Sequence, residues 1–231
     1  MKTTYVPSEI KWGIAFLKTT NNVRGFFIFT ILFFFFVFLG KSQKLPQDMW
    51  HPGFIVLDKE DTLQGKIQYD FESNLVQFTS NETVKTFSSQ NVLFFKFHCQ
   101  FFKRVRSVYS IPYELKGRVK IPVFFEILEE GEITLMAREY VVIENNNRFA
   151  NPIYRTNRSF GNREILTYNY FLLTGDGTIH KFSEKKRDLY EFFGKYKPEM
   201  EFYIKEKKLK VDRQGDLVAI MKYYNWLVSS K

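Results

Sequence analysis

The chain has 231 residues, with 34 Lys and Arg against 25 Asp and Glu for a formal net charge of +9, and 19% of its residues are aromatic. Its one cysteine, Cys99, excludes an internal disulfide, so stability must come from packing, to which each large ring contributes roughly 150–250 Å² of buried surface. The length admits one substantial domain, or one domain with a small appendage, and three scattered His with one Cys offer no zinc-ligand spacing.

The first element in the chain is the apolar run FFIFTILFFFFVFLGKSQ at residues 26–43. Between Arg24 and Lys41 lie 16 residues without a charge. As a helix they would reach about 24 Å, short of the roughly 30 Å hydrocarbon core of a bilayer. Lys2, Lys11, Lys18 and Arg24 precede the run against a single Glu9, and Gly40 and Ser42 stand two apart before Gln43. A positive leader, a short apolar stretch and small residues at a cleavage site form a tripartite export signal, cut here before Gln43. The long leader, and Lys41 within the cleavage region, keep an uncleaved signal-anchor open as the alternative. Either reading carries residues 43–231 across a membrane. The expected location is the periplasm, the cell surface or the medium, with a membrane tether in the second case and membrane contact confined to the N-terminal apolar segment. No Cys follows the run, which excludes a lipid-modified N-terminal cysteine. Residues 1–42 hold five Lys or Arg and one Glu, which leaves 29 basic and 24 acidic residues, a net charge of +5, for the remainder.

From about residue 51 to 182 the dominant period is two, broken by turn residues, the pattern of short antiparallel strands. Residues 53–70, GFIVLDKEDTLQGKIQYD, place Asp58, Lys59, Glu60 and Asp61 between two strand-like runs, a hairpin. Residues 75–79 and 83–87 flank Ser80, Asn81 and Glu82 in the same way, and 91–99 continue as a strongly aromatic strand. Residues 123–128 and 133–137 bracket Glu129, Glu130, Gly131 and Glu132; residues 165–173 and 178–182 close on Thr174, Gly175, Asp176 and Gly177, where glycine supplies positive φ. Residues 144–164 show neither period and are loaded with Asn and Arg. They read as a long excursion from the sheet, docked through Phe149, Tyr154 and Phe160.

From Ser183 the period changes to 3.6. Ser183 is the expected N-cap of a helix carrying Leu189, Phe192 and Phe193 and ended by Gly194. Pro198 suits the first turn of a second helix with Met200, Tyr203 and Ile204 on one stripe. Asp212 is the expected cap of a third, whose Leu217, Ile220, Met221, Tyr224 and Leu227 share a face. The chain is therefore predicted to be an α+β protein, mainly an antiparallel β-sheet forming a curled barrel or a sandwich, with a short C-terminal helical segment. Residues 1–42 form the signal peptide or signal-anchor, 43–182 the β-rich domain and 183–231 the helical appendage. The terminal helices argue against an outer-membrane barrel.

Chemistry-bearing residues are sparse. His98 and Cys99 are adjacent, but side chains alternate across a strand, so the two point apart and make no nucleophile–base pair; Cys99 reads as a small buried hydrophobe. The acidic turns at 58–61 and 129–132 read as solvated hairpin tips, without the periodicity of a calcium loop. A glycosidase needs two carboxylates about 5–10 Å apart, and Glu126, alternating outward from Phe125 and Ile127, is available for one. The chain contains no G-x-S-x-G, H-E-x-x-H, phosphate loop or dinucleotide fingerprint, so no catalytic residue, cofactor or metal is assigned. Charge is the more suggestive feature. Lys96, Lys103, Arg104, Arg106, Lys116, Arg118 and Lys120 fall together with one acid, Glu114. Alternation puts Arg104 and Arg106 on one side of a strand, and an exposed lysine-rich edge also deters strand-to-strand aggregation. Lys103, Arg104, Arg106, Tyr109, Tyr113, Arg118, Arg155 and Arg158 form the expected ligand-contacting set.

The opening GFIVLDKEDTLQGKIQYD, with the later FFEILEEGEITLMARE and KKLKVDRQGDLVAIMKYYNWL, resembles a group of uncharacterised exported proteins common in Bacteroidota. That resemblance rests on strand pattern and turn residues; it implies an envelope or secreted location and no established activity. The sequence thus reads as an exported, non-catalytic binding or structural protein of the cell envelope, its partner an acidic or glycan-containing polymer or an envelope protein. The alternatives are a hydrolase acting on envelope polymers and, for an intracellular chain only, a salt-sensitive nucleic-acid binder; export leaves no nucleic-acid partner expected.

Overall fold

A computed structural model describes residues 45–81, 83–114, 119–144 and 163–230. The N-terminal apolar run, Lys116, Arg118, Arg148, Phe149, Tyr154, Arg155, Arg158 and Phe160 lie outside the described residues. No helix among the described residues is long and apolar enough to cross a membrane.

The period-two segments form ten strands, all paired antiparallel in one sheet: β1 (His51–Leu57), β2 (Thr62–Asp70), β3 (Leu75–Ser80), β4 (Thr83–Ser88), β5 (Val92–Cys99), β6 (Arg104–Tyr113), β7 (Ile121–Glu129), β8 (Ile133–Glu144), β9 (Arg163–Thr174) and β10 (Ile179–Lys181). The order across the sheet is β10-β9-β8-β7-β6-β5-β1-β2-β3-β4. Two meanders are therefore joined through β1 and β5. Turn chemistry sets the hairpins: Asn74 and Asn81, residues that tolerate the left-handed region, sit at φ of +57° and +54°, and Gly177 at +80°.

The sheet cannot be flat. β4 lies four positions from β5, about 19 Å at the usual interstrand spacing. Yet only residues 89–91 join them, and the step from Ser88 to Val92 spans at most about 14 Å when fully extended. The β1–β4 meander must curl back, and polar side chains fasten the corner. Asn74, in the β2–β3 turn, donates to Ser89 Oγ at 2.7 Å and accepts from the Phe124 amide of β7 at 3.0 Å. Ser89 Oγ donates to the Pro122 carbonyl at 2.7 Å. The result is a curled, open sheet whose hollow is packed by Ile55, Ile67, Tyr69, Val76, Phe95 and Phe124, among others.

β7 and β8 pair only near their shared turn, from Glu126↔Ala137 to Glu129↔Leu135, whereas β8 and β9 stay paired from Ile133↔Thr174 to Glu144↔Arg163. The long β8–β9 arm thus leaves β7 and brings Val141 and Leu166 against the core of the curl. At its other end the same face carries Leu135, Ala137, Tyr170 and Leu172, covered by α1 (Lys186–Phe192), α2 (Lys197–Glu206) and α3 (Gln214–Ser229). Leu217, Ile220, Met221, Tyr224 and Leu227 of α3 all point into this second core, as the 3.6-residue period requires. Val123, Phe125, Met136 and Phe171 form a third cluster from the opposite face of β7–β9.

Two expected caps are corrected. The N-cap of α1 is Lys185, and Ser183 instead meets the side chain of Asp188. The N-cap of α3 is Arg213, and the neighbouring acid that works is Asp216, which accepts from the Lys210 amide at 2.9 Å. In both cases an acid inside the first turn reaches back, where the helix dipole favours negative charge.

Candidate functional site

Three of the expected contact residues, Arg118, Arg155 and Arg158, lie outside the described residues. The other five separate. Lys103 is exposed in the β5–β6 turn at φ of +53°. Arg104 and Arg106 share the face of β6 that carries Val108, and this is the inner face. Tyr109 and Tyr113 stand on the other side, Tyr109 stacked on Phe94 at 5.0 Å and Tyr113 edge-on to Phe125 at 5.5 Å. Arg106 is only 2% exposed and cannot reach an external polymer. The β8–β9 arm covers the side on which it stands.

What Arg106 reaches is a pair of carboxylates. Its Nη2 donates to Glu126 Oε2 at 2.8 Å and to Glu139 Oε2 at 2.7 Å, and Glu126 Oε1 lies 2.6 Å from Nη1 of the half-exposed Arg104. The expectation that Glu126 alternates outward is overturned: it is 3% exposed, because both faces of β7 are covered and alternation on such a strand defines no outside. Phe97 and Phe102 lie 5.4 and 5.6 Å from the Arg106 guanidinium. Burial would lower the arginine's pKa, but Glu126 and Glu139 outweigh it and hold the guanidinium charged. Burial pushes Glu139 up, against the pull of Arg106. Burial and then Glu139 push Tyr168 up, so its phenol stays protonated beside the carboxylate.

The cluster sits at the point where β8 leaves β7, between the curl core and the helix-covered core. Two arginines and two glutamates meet at this junction: Arg106 donates to both carboxylates, Arg104 pairs with Glu126, and Arg106 Nε is buried without a hydrogen-bond partner among the described residues. Both carboxylates face the guanidinium and are buried from solvent. The signal for the junction was present in the sequence: charges of opposite sign embedded in strand runs, Arg104 and Arg106 in RVRSV, Glu126 alone in the apolar VFFEIL and Glu139 beside Arg138 in LMAREYVV.

Cys99 is also explained. Its partner is His51, 48 residues earlier, whose Nε2 lies 3.9 Å from Sγ. The Gln100 amide donates to His51 Nδ1 at 3.2 Å, so the ring proton sits on Nε2, which donates to the Pro46 carbonyl at 3.3 Å. Burial keeps the imidazole pKa below 6.5 and the ring neutral. The nitrogen that faces the thiol carries the proton, the wrong tautomer for a base, and Cys99 is fully buried. The adjacent His98 points away and is exposed.

The accessible chemistry of the sheet lies on its outer face. Phe54 on β1, Phe94 and Lys96 on β5 and Tyr109 on β6 are half-buried side by side. Phe94 stacks on Tyr109, Phe54 meets Phe94 edge-on at 6.0 Å, and the Lys96 ammonium lies 5.8 Å from the Phe94 ring. This is an aromatic platform with a cation at its margin. Comparisons with protein families, curated proteins and solved structures return no match, so the platform is read from its geometry alone.

Proposed function

We propose that the chain is an exported, non-catalytic binding or structural protein of the cell envelope, and that the Phe54–Phe94–Lys96–Tyr109 platform contacts an acidic or glycan-containing envelope polymer. Export follows from the tripartite pattern at residues 1–42, and the resemblance to exported proteins of Bacteroidota agrees with it. One observation carries the non-catalytic half. The two carboxylates that converge on Arg106, Glu126 and Glu139, share a single guanidinium nitrogen and are shut from solvent, whereas a hydrolytic pair must face a cleft with one member able to take or give a proton. The platform offers the opposite: ring faces for the apolar faces of sugar rings and an ammonium for an acidic group.

The test is co-sedimentation of the purified full chain with cell-wall polymer from its host, with release of new reducing ends assayed in the same tubes. The proposal predicts sedimentation without release, weakened in K96A at unchanged melting temperature and in Y109A, which loses the stack on Phe94, at temperatures where that variant remains folded. Release of reducing ends would overturn it in favour of the hydrolase reading; sedimentation indifferent to both substitutions would overturn the assignment of the platform.

A further inference from the structure

We infer that the groove between α1 and the end of α2 binds a linear, phosphate-bearing polyanion. It is an open trough of about 580 Å³ whose walls carry Lys186, Lys205, Lys208 and Lys210 and whose floor is Tyr190, Ile204 and Leu209. All four lysines are exposed. The one acid on the lining, Glu201, already faces Lys197 at 3.8 Å.

The backbone holds two of these lysines in place. Helix α2 ends in a six-to-one and five-to-two pair of hydrogen bonds, Leu209 N–H to the Ile204 carbonyl at 3.0 Å and Lys208 N–H to the Lys205 carbonyl at 3.2 Å. This termination puts one residue in the left-handed conformation, where glycine is strongly favoured. Here that residue is Lys208, at φ of +54°. The Lys210 amide is held in turn by Asp216. A lysine thus stands where local backbone chemistry asks for glycine, and its side chain lines the groove.

The chemistry of the lining selects the partner. Four like charges around one trough repel each other until a polyanion neutralises them, and an open trough admits a chain running through it. Lysine meets phosphate as a point charge, whereas recognition of carboxylates in a fixed plane favours the arginine fork, and no arginine lines this groove. The source of the polymer, the envelope, rests on the export reading; the binding itself does not.

The experiment titrates the purified full chain with long-chain inorganic polyphosphate at 50 and 200 mM salt. If four lysines neutralise four phosphates, affinity falls about 50-fold over that range. The variant K186Q/K205Q/K208Q/K210Q is expected to lose binding, and K208G alone to weaken it and flatten the salt dependence while its melting temperature holds or rises. That opposite movement of stability and affinity is what a merely structural Lys208 would not give. Unchanged polyphosphate affinity in the quadruple variant would overturn the inference, as would equal binding of polyglutamate, or lysine-dependent binding of phosphatidylglycerol vesicles that polyphosphate does not displace. Because the assay is indifferent to compartment, a cytosolic location would defeat the export reading alone.

Discussion

Substituting Arg106 by Met removes the only positive charge among the described residues that touches both buried carboxylates. Glu126 Oε2 and Glu139 Oε2 lie 2.8 and 2.7 Å from the same nitrogen, so they are at most about 5.5 Å apart. At that distance two unit charges repel by about 3 kcal/mol for an effective dielectric of about 20, at the lower end of the roughly 3–5 kcal/mol typical of a broken buried pair. For a domain of this size each kcal/mol moves the melting temperature by about 2–4 °C, so R106M should melt about 6–20 °C below the parent at neutral pH. The loss must depend on pH. Burial already holds the Glu139 carboxyl above its ordinary 4.5, and without Arg106 it rises further. A folded-state pKa above the unfolded value means that the folded protein binds more protons, so stability falls as pH climbs from 4.5 through the folded pKa. The deficit should be smallest near pH 4.5 and widest at pH 8. In R106M/E139Q most of the stability should return, since Glu126 keeps Arg104 at 2.6 Å. Thermal denaturation followed by circular dichroism across pH reads all of this; an R106M variant within about 1 kcal/mol of the parent at pH 8 would refute the buried junction.

Further expectations concern packing. Asn225 accepts from the Ile133 amide at 3.1 Å and donates to the carbonyls of Ile133 and Glu130 at 3.1 and 3.3 Å, so N225A should cost about 2 kcal/mol through unpaired backbone groups. A methyl group at Gly131 would overlap the Asn225 side chain. Gly131→Ala should therefore be destabilising alone and much less so in the N225A background, a coupling that a double-mutant cycle measures. At Gly65, where an added Cβ meets the Thr79 carbonyl across the β2–β3 pair, alanine should lower the melting temperature sharply, and an unchanged value would contradict the close strand approach. Cys99, buried beside His51, should resist an aromatic disulfide reagent in the native protein and react when guanidinium unfolds it; rapid native reaction would contradict its burial.

The hairpins and the apolar stripe of α3 were readable because each depends on residues near one another in the chain: turn-formers between alternating runs, and Leu217, Ile220, Met221, Tyr224 and Leu227 at helical spacing. What escaped depends on long-range pairing. Sequence order makes β4 and β5 neighbours, but β5 pairs with β1, and that exchange is what curls the sheet and sets His51 against Cys99. The outward reading of Glu126 failed because alternation separates two faces without saying which is covered, and on β7 both are. The expected basic surface loses Arg106 for the same reason. Arg104 and Arg106 do share a side, as their spacing demands, but that side is capped by an arm whose departure from β7 no local pattern announces. The two helix caps lie two residues and one residue beyond the expected Ser183 and Asp212, since Asp188 and Asp216 satisfy the helix starts from within.

The account of function stands on passage across a membrane. Fractionation of the host cells, followed by N-terminal sequencing of the purified protein, tests it directly. The account predicts a chain beginning at Gln43 in the periplasmic, surface or medium fraction, or an intact chain held in the membrane if the apolar segment is kept as a tether. An intact Met1 in the soluble cytosol would contradict it and return the basic surfaces to intracellular polyanions.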